Sequence, residues 1–128
     1  MTGRVYRVAL IDYLCSHFNT HVSKLGEILE HASIAKDACA LFKSATLLTT
    51  HMGCRNRPLE CIASLWGAAE RQRAFRNNYL SITVEQALMC RFNTMLLHPY
   101  LPCVGEYHGP LKEIEFFPLE CLNISFEE

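Results

Sequence analysis

Seven cysteines and six histidines in 128 residues give this chain several combinations that could do chemistry. His51 and Cys54, followed by Cys61, put three soft-cation ligands near one junction, and Cys103 with His108 supplies two more. A structural zinc site needs four ligands, usually grouped as pairs two to four residues apart, and the sequence contains no CxxC pair. Zinc held by His51, Cys54, Cys61, Cys103 and His108 is therefore the alternative reading, and ordinary reduced thiols packed in core or loop are the default. No metal or other cofactor is expected on that default. His17 and His21 stand four apart, but a break near Asn19 separates them, so they read as surface histidines. A cysteine nucleophile needs a base and an oxyanion hole, and no local signature links any Cys to any His here.

Arg91 and His98 are separated by six residues, with Asn93 between them. At such a pair an arginine would stabilise a charged phosphate and a histidine would move a proton during attack by a 2′-hydroxyl. In these residues the segment resembles the Arg-x4-6-His motif of the HEPN ribonucleases, which are small helical bundles, and that resemblance makes a small RNA-cleaving or RNA-binding protein the runner-up. The plainer explanation is a cation and a histidine near a helix C-terminus, favoured by the helix dipole alone. Arg71, Arg73 and Arg76, with Trp66 and Phe75 close by, have the aromatic and arginine composition of a protein-binding surface. A formal net charge of −1 argues against nucleic acid as the partner, because such binders carry a net basic domain.

Half the residues are hydrophobic and 20% are charged, an ordinary globular mixture that suits one folded domain over 1–128. An odd number of scattered cysteines differs from a secreted disulfide framework and points to a reducing, cytoplasmic setting. Arg4 and Arg7 precede an apolar run that Asp12 cuts within a few residues, too soon for an export signal, and the sequon at Asn123 is expected to be idle. No apolar run approaches the ~20 residues that cross a bilayer, so no membrane is expected. Charge is segregated. Arg55, Arg57, Arg71, Arg73, Arg76 and Arg91 dominate the middle, whereas Glu106, Glu113, Glu115, Glu120, Glu127 and Glu128 dominate the end. The two stretches either attract each other within the fold or form two solvated faces.

Apolar spacing sets the elements that must position these residues. Val8, Ile11, Leu14 and Cys15 predict a helix over 5–18; Val22, Leu25, Gly26 and Leu29 predict a second, capped by Asn19 or Thr20. Ser33 caps a third that carries Ala38, Phe42, Ala45 and Leu48 and stops at Gly53. Pro58 opens a fourth, with Cys61, Ile62, Leu65 and Ala69 on its stripe, ending at Asn77 and Asn78. Thr83 and Gln86 have capping-box spacing for a fifth that runs to Pro99. Helices thus fill 1–98, a Pro/Gly-rich irregular loop fills 99–112, and 113–128 alternates like a strand, either a hairpin or an extended tail.

Residues 19–52 resemble one 34-residue tetratricopeptide repeat, with Val22, Leu25, Gly26 and Leu29 on the first helix's packing sites and Ala38, Phe42 and Ala45 on the second's. Thr50 stands where the terminal proline belongs. The stretch from Met52 to Arg71, containing Trp66-Gly67-Ala68-Ala69-Glu70, is similar to the repeat region of bacterial LuxR-type (MalT-like) regulators, where Leu-Gly-Ala-Ala-Glu is common. That resemblance implies stacked antiparallel helix pairs that bind a protein or peptide and do no chemistry. The chain lacks the GxxxxGK[ST] loop for ATP. The expectation is a mainly α domain of antiparallel helical hairpins, about five helices with a short β or extended tail. Its function would be that of a non-enzymatic adaptor, with room for a homodimer because one and a half repeats leave an end uncovered.

Overall fold

The computed structural model describes residues 5–50, 57–60, 62–74, 82–108 and 113–127. Strand β1 (Val5–Ala9) runs directly into helix α1 (Leu10–His17), followed by α2 (Val22–Leu29), α3 (Ala32–Ser44) and strand β2 (Thr46–Thr49). Then come β3 (Ile62–Ala68), α4 (Val84–Phe92), β4 (Pro102–His108), β5 (Glu113–Pro118) and β6 (Leu122–Glu127). One sheet has the order β1-β6-β2, with β6 antiparallel to both neighbours, and the other is the antiparallel meander β3-β4-β5. A single 3-10 turn (Leu119–Cys121) carries the chain from the second sheet into the first.

Four helices and two three-stranded sheets among the described residues overturn the mainly α expectation of about five helices. They overturn the tetratricopeptide and MalT-like resemblance with it. Helices α2 and α3 do occupy most of the supposed repeat, but α3 gives way to strand β2 after Ser44, and among the described residues no second helix pair stacks on it. The supposed fourth helix is strand β3, and the physical reason is visible in its register. Ile62, Leu65 and Ala68 pair with Glu106, Val104 and Pro102, so three-residue steps on β3 face two-residue steps on β4. A register shift in each interval absorbs the extra residue, as a β-bulge does. That spacing imitates a helical stripe.

Similar reasons account for the other differences. Val5–Ala9 contributes Val8 to an apparent helical stripe, yet it pairs with β6 along its full length, and the helix begins only at Leu10. The segment predicted as irregular, 99–112, contains β4, with Pro102 at the first strand position, where a missing N–H is tolerated. β5 and β6 are strands but neither a hairpin nor a tail: β5 pairs with β4, and β6 is the centre of the first sheet.

The main core lies where the helices and both sheets meet. Leu10, Leu14, Leu25 and Phe42 from the helices pack with Leu47 and Ile124 of the first sheet and Val104 and Phe117 of the second. A smaller cluster of Val84, Leu88, Leu96, Ala69, Cys103 and Cys121 seats α4 against the other side of the second sheet. α4 starts at a complete capping box: Thr83 Oγ1 accepts from the Gln86 N–H and Gln86 Oε1 accepts from the Thr83 N–H. It ends at Asn93, left-handed at φ 50°.

Candidate functional site

The strongest polar arrangement is internal. Glu106, 1% exposed on β4, accepts two bonds from the Arg57 guanidinium at 2.8 and 3.3 Å and a third from the Glu60 N–H at 2.9 Å. Glu115 is its cross-strand partner on β5 and lies 3.8 Å from the same guanidinium, so one arginine separates two like charges placed opposite each other. Arg57 also lies over the Phe117 ring at 5.4 Å. Residues 57–59 meanwhile form a rung on the free side of β2, through Thr49 N–H to Arg57 carbonyl and Leu59 N–H to Leu47 carbonyl. The segment therefore ties one sheet to the other, and the basic middle of the chain meets its acidic end inside the fold. With its oxygens occupied by these donors, Glu106 serves the architecture.

The candidate binding site lies at the opposite side of β3. Among the described residues β3 pairs with β4 alone, and its other edge forms one wall of a cleft of about 330 Å³ through Leu65, Trp66, Gly67 and Ala68. Gly26, Leu29 and Glu30 of α2 and Ala35 of α3 form the facing wall, and Tyr100, Pro102 and Arg71 line the rest. This volume falls at the lower end of ligand-binding cavities. A Cβ on Gly26 would meet the Tyr100 ring and Leu101 at ordinary contact distances of 3.6 to 3.9 Å, so the absence of a side chain there leaves the helical wall open. Tyr100, 40% exposed, is steadied by a 3.1 Å bond between its hydroxyl and His98 Nδ1. Glu120 in turn accepts the N–H groups of Leu97 and His98 at 2.9 and 2.6 Å, which fixes the loop that presents Tyr100.

Trp66 stands where β3 meets the outer face of its sheet. Its indole lies across Gly105 and meets Phe116 edge-on at 5.3 Å, and it remains 36% exposed. A Cβ on Gly105 would come within 2.6 Å of the indole nitrogen, so glycine is required for this close approach. Arg71 follows in a tight turn closed by its own N–H to the Ala68 carbonyl. Among the described residues neither Arg71 nor Glu30 has an ion-pair partner.

The predicted binding residues Trp66 and Arg71 thus line one cleft; Arg73 is exposed just beyond it, in a bridge with Thr83, and Phe75 and Arg76 lie outside the described residues. Arg91 and His98 do not share a helix. Arg91 occupies the last turn of α4, over the Phe92 ring at 5.2 Å, whereas His98 sits six residues past the helix end beside Tyr100. Of the metal candidates, His51, Cys54 and Cys61 lie outside the described residues, while Cys103 and His108 belong to β4 and not to a loop. No group of three His, Cys, Asp or Glu able to hold a metal occurs among the described residues. Burial pushes the Cys103 thiol up to about 12, helped by neighbouring Cys121, and burial with Glu120 nearby does the same for Cys121. Both are neutral packing groups at physiological pH.

Sequence reasoning missed Gly26, Glu30 and Tyr100 as site residues. Gly26 read as a packing position of a repeat; the signal for Tyr100 was an aromatic set between Pro99 and Pro102. The fold and cleft define a mixed α/β domain with a groove at a sheet edge. No protein-family profile and no curated protein matches the chain. No described helix is long and apolar enough to cross a membrane.

Proposed function

We propose that this protein is a non-enzymatic binding domain that takes a short extended segment of a partner protein into the cleft between β3 and helices α2 and α3. The observation that supports it is the combination in one groove of a strand edge and an Arg71 guanidinium that are both unpartnered among the described residues, the helical wall at Gly26 and an exposed Tyr100. Aromatic and arginine side chains at a concave, partly apolar position are what protein-binding hot spots are made of. The two register shifts in β3 break the regular ladder that a long added strand would need, so recognition is short and led by side chains. The stacked-helix form of an adaptor has no place in this fold; the partner meets a strand edge and a helix together.

Selection of displayed nonapeptides on the wild-type protein, with counter-screening on Tyr100→Ala, tests this. Enriched peptides should bind the wild type and lose at least about tenfold on the variant, which is about 1.4 kcal/mol. No enrichment, or peptides indifferent to Tyr100, would overturn the reading.

A further inference from the structure

The edge of β3 away from β4, unpaired among the described residues, is already engaged at one point. Gly67 N–H donates to the Gln72 side-chain oxygen at 3.2 Å, the Gln72 N–H donates to the Ala68 carbonyl at 2.7 Å, and Gln72 Nε2 reaches the Arg73 carbonyl at 3.3 Å. A side-chain amide therefore satisfies the Gly67 donor in the way the peptide group of an incoming chain would. Side-chain bonds of this kind are exposed and exchange with solvent, so the donor is available to a better acceptor. Arg71, whose guanidinium has no partner among the described residues, belongs to the same short turn and lines the same cleft.

An acceptor that would satisfy both groups together is a carboxylate. It takes a charge-assisted bond from the guanidinium and another from a backbone N–H, each stronger than the neutral amide–amide bond it replaces. A neutral carbonyl would gain little over Gln72. Glu30, on the helical wall of the cleft and without an ion-pair partner among the described residues, disfavours a second acidic group placed beside it.

Resting on the cleft reading above, we propose that the partner segment is anchored by a carboxylate held between Arg71 and the Gly67 N–H, and that Gln72 occupies this donor until the segment arrives. The carboxylate comes from an acidic side chain or from a chain terminus; the chemistry is shared, and the test separates the two.

Three capped tripeptides serve as probes, titrated calorimetrically and by emission of Trp66, the single tryptophan. One is valine-leucine-glutamate amide, one valine-leucine-valine with a free carboxyl end, and one the neutral valine-leucine-glutamine amide. The expected result is at least about tenfold tighter binding of one carboxylate probe than of the neutral one. Arg71→Gln should abolish that preference, and Gln72→Ala should tighten the preferred probe by two- to fivefold, as thermal unfolding confirms both variants folded. Whichever carboxylate probe wins identifies the source. Equal binding of all three with no effect of Arg71→Gln overturns the anchor but leaves the cleft reading intact. Binding by none of them up to millimolar concentration, while displayed nonapeptides still bind through Tyr100, likewise overturns the anchor alone. Failure of both probes and nonapeptides overturns both readings.

Discussion

Replacing Gly105 by alanine tests whether Trp66 is held where the cleft needs it. The new Cβ would lie 2.6 Å from the indole nitrogen, 2.9 Å from its neighbouring carbon and 3.0 Å from Ile114 Cγ2. Carbon contacts settle near 3.5–4.0 Å, so the indole must retreat by about 1 Å. Because Trp66 is already 36% exposed, it can move outward, and the penalty is part of the usual 1–3 kcal/mol for overpacking plus about 0.5–1.5 kcal/mol for the lost edge contact with Phe116. Alanine returns about 0.4–1 kcal/mol by restricting the unfolded chain. The net expectation is about 1–2 kcal/mol of destabilisation. In urea, with a slope of about 1–3 kcal/mol/M, this lowers the unfolding midpoint by roughly 1 M. Emission should shift to the red as the indole enters water. An unchanged midpoint together with unchanged emission would refute the packing of Trp66 on Gly105 and the wall built on it.

Other consequences can be measured in the same way. Gly26→Ala, in the interior of α2 where the added methyl meets Leu101 and Tyr100 at ordinary contact distances, should raise stability by about 0.5–1 kcal/mol while weakening cleft binding; a thermal midpoint that falls would contradict the room at that wall. Arg57→Ala removes two of the donors on the buried Glu106 carboxylate and leaves Glu115 beside it, and should cost about 2–3 kcal/mol in urea unfolding, somewhat below the about 3–5 kcal/mol of a fully buried pair because Arg57 is 36% exposed. Cys103 and Cys121, raised from 9.0 to about 12, stay protonated in the fold above the pH at which the unfolded chain loses those protons. Stability is therefore complete below pH 9 and falls as pH rises toward 12, by up to about 1.4 kcal/mol per pH unit for each thiol. Urea midpoints across that window should fall less steeply once both are replaced by alanine. At pH 8 iodoacetamide should label exposed Cys90 readily and Cys103 and Cys121 only after unfolding, as peptide mass mapping would read.

The parts of this fold that were legible in the sequence are those fixed by local chemistry. Thr83 and Gln86 announce a helix start because a capping box is a contact between neighbours, and α4 begins there. Leu122 and Ile124 alternate because β6 buries one face, although no local signal says that β6 pairs with the first strand of the chain; in β5 the half-buried Ile114 and Phe116 alternate while Phe117, on the other face, enters the main core. What misled was periodicity under distortion. Ile62 and Leu65, two of the four residues of the expected helical stripe, are three apart on β3 because the strand's register shifts between them, and the long-range partner that decides otherwise, β4, lies in a segment whose prolines and glycines read as loop. The site followed the same rule. Trp66 and Arg71 stood out by composition as candidates, whereas Gly26, Glu30 and Tyr100 join them in the candidate cleft only when the strand edge and the helices are brought together.

The most direct test of the account is a map of backbone amide shifts in the labelled protein as a peptide selected for binding is added. The account predicts that the largest changes cluster at Gly67, Ala68 and Arg71 on one wall and at Gly26, Leu29 and Glu30 on the other, with β1 and α4 unmoved. Changes concentrated instead on the open edge of β1, around the exposed Tyr6 and Val8, would place the binding surface on the other sheet and contradict it.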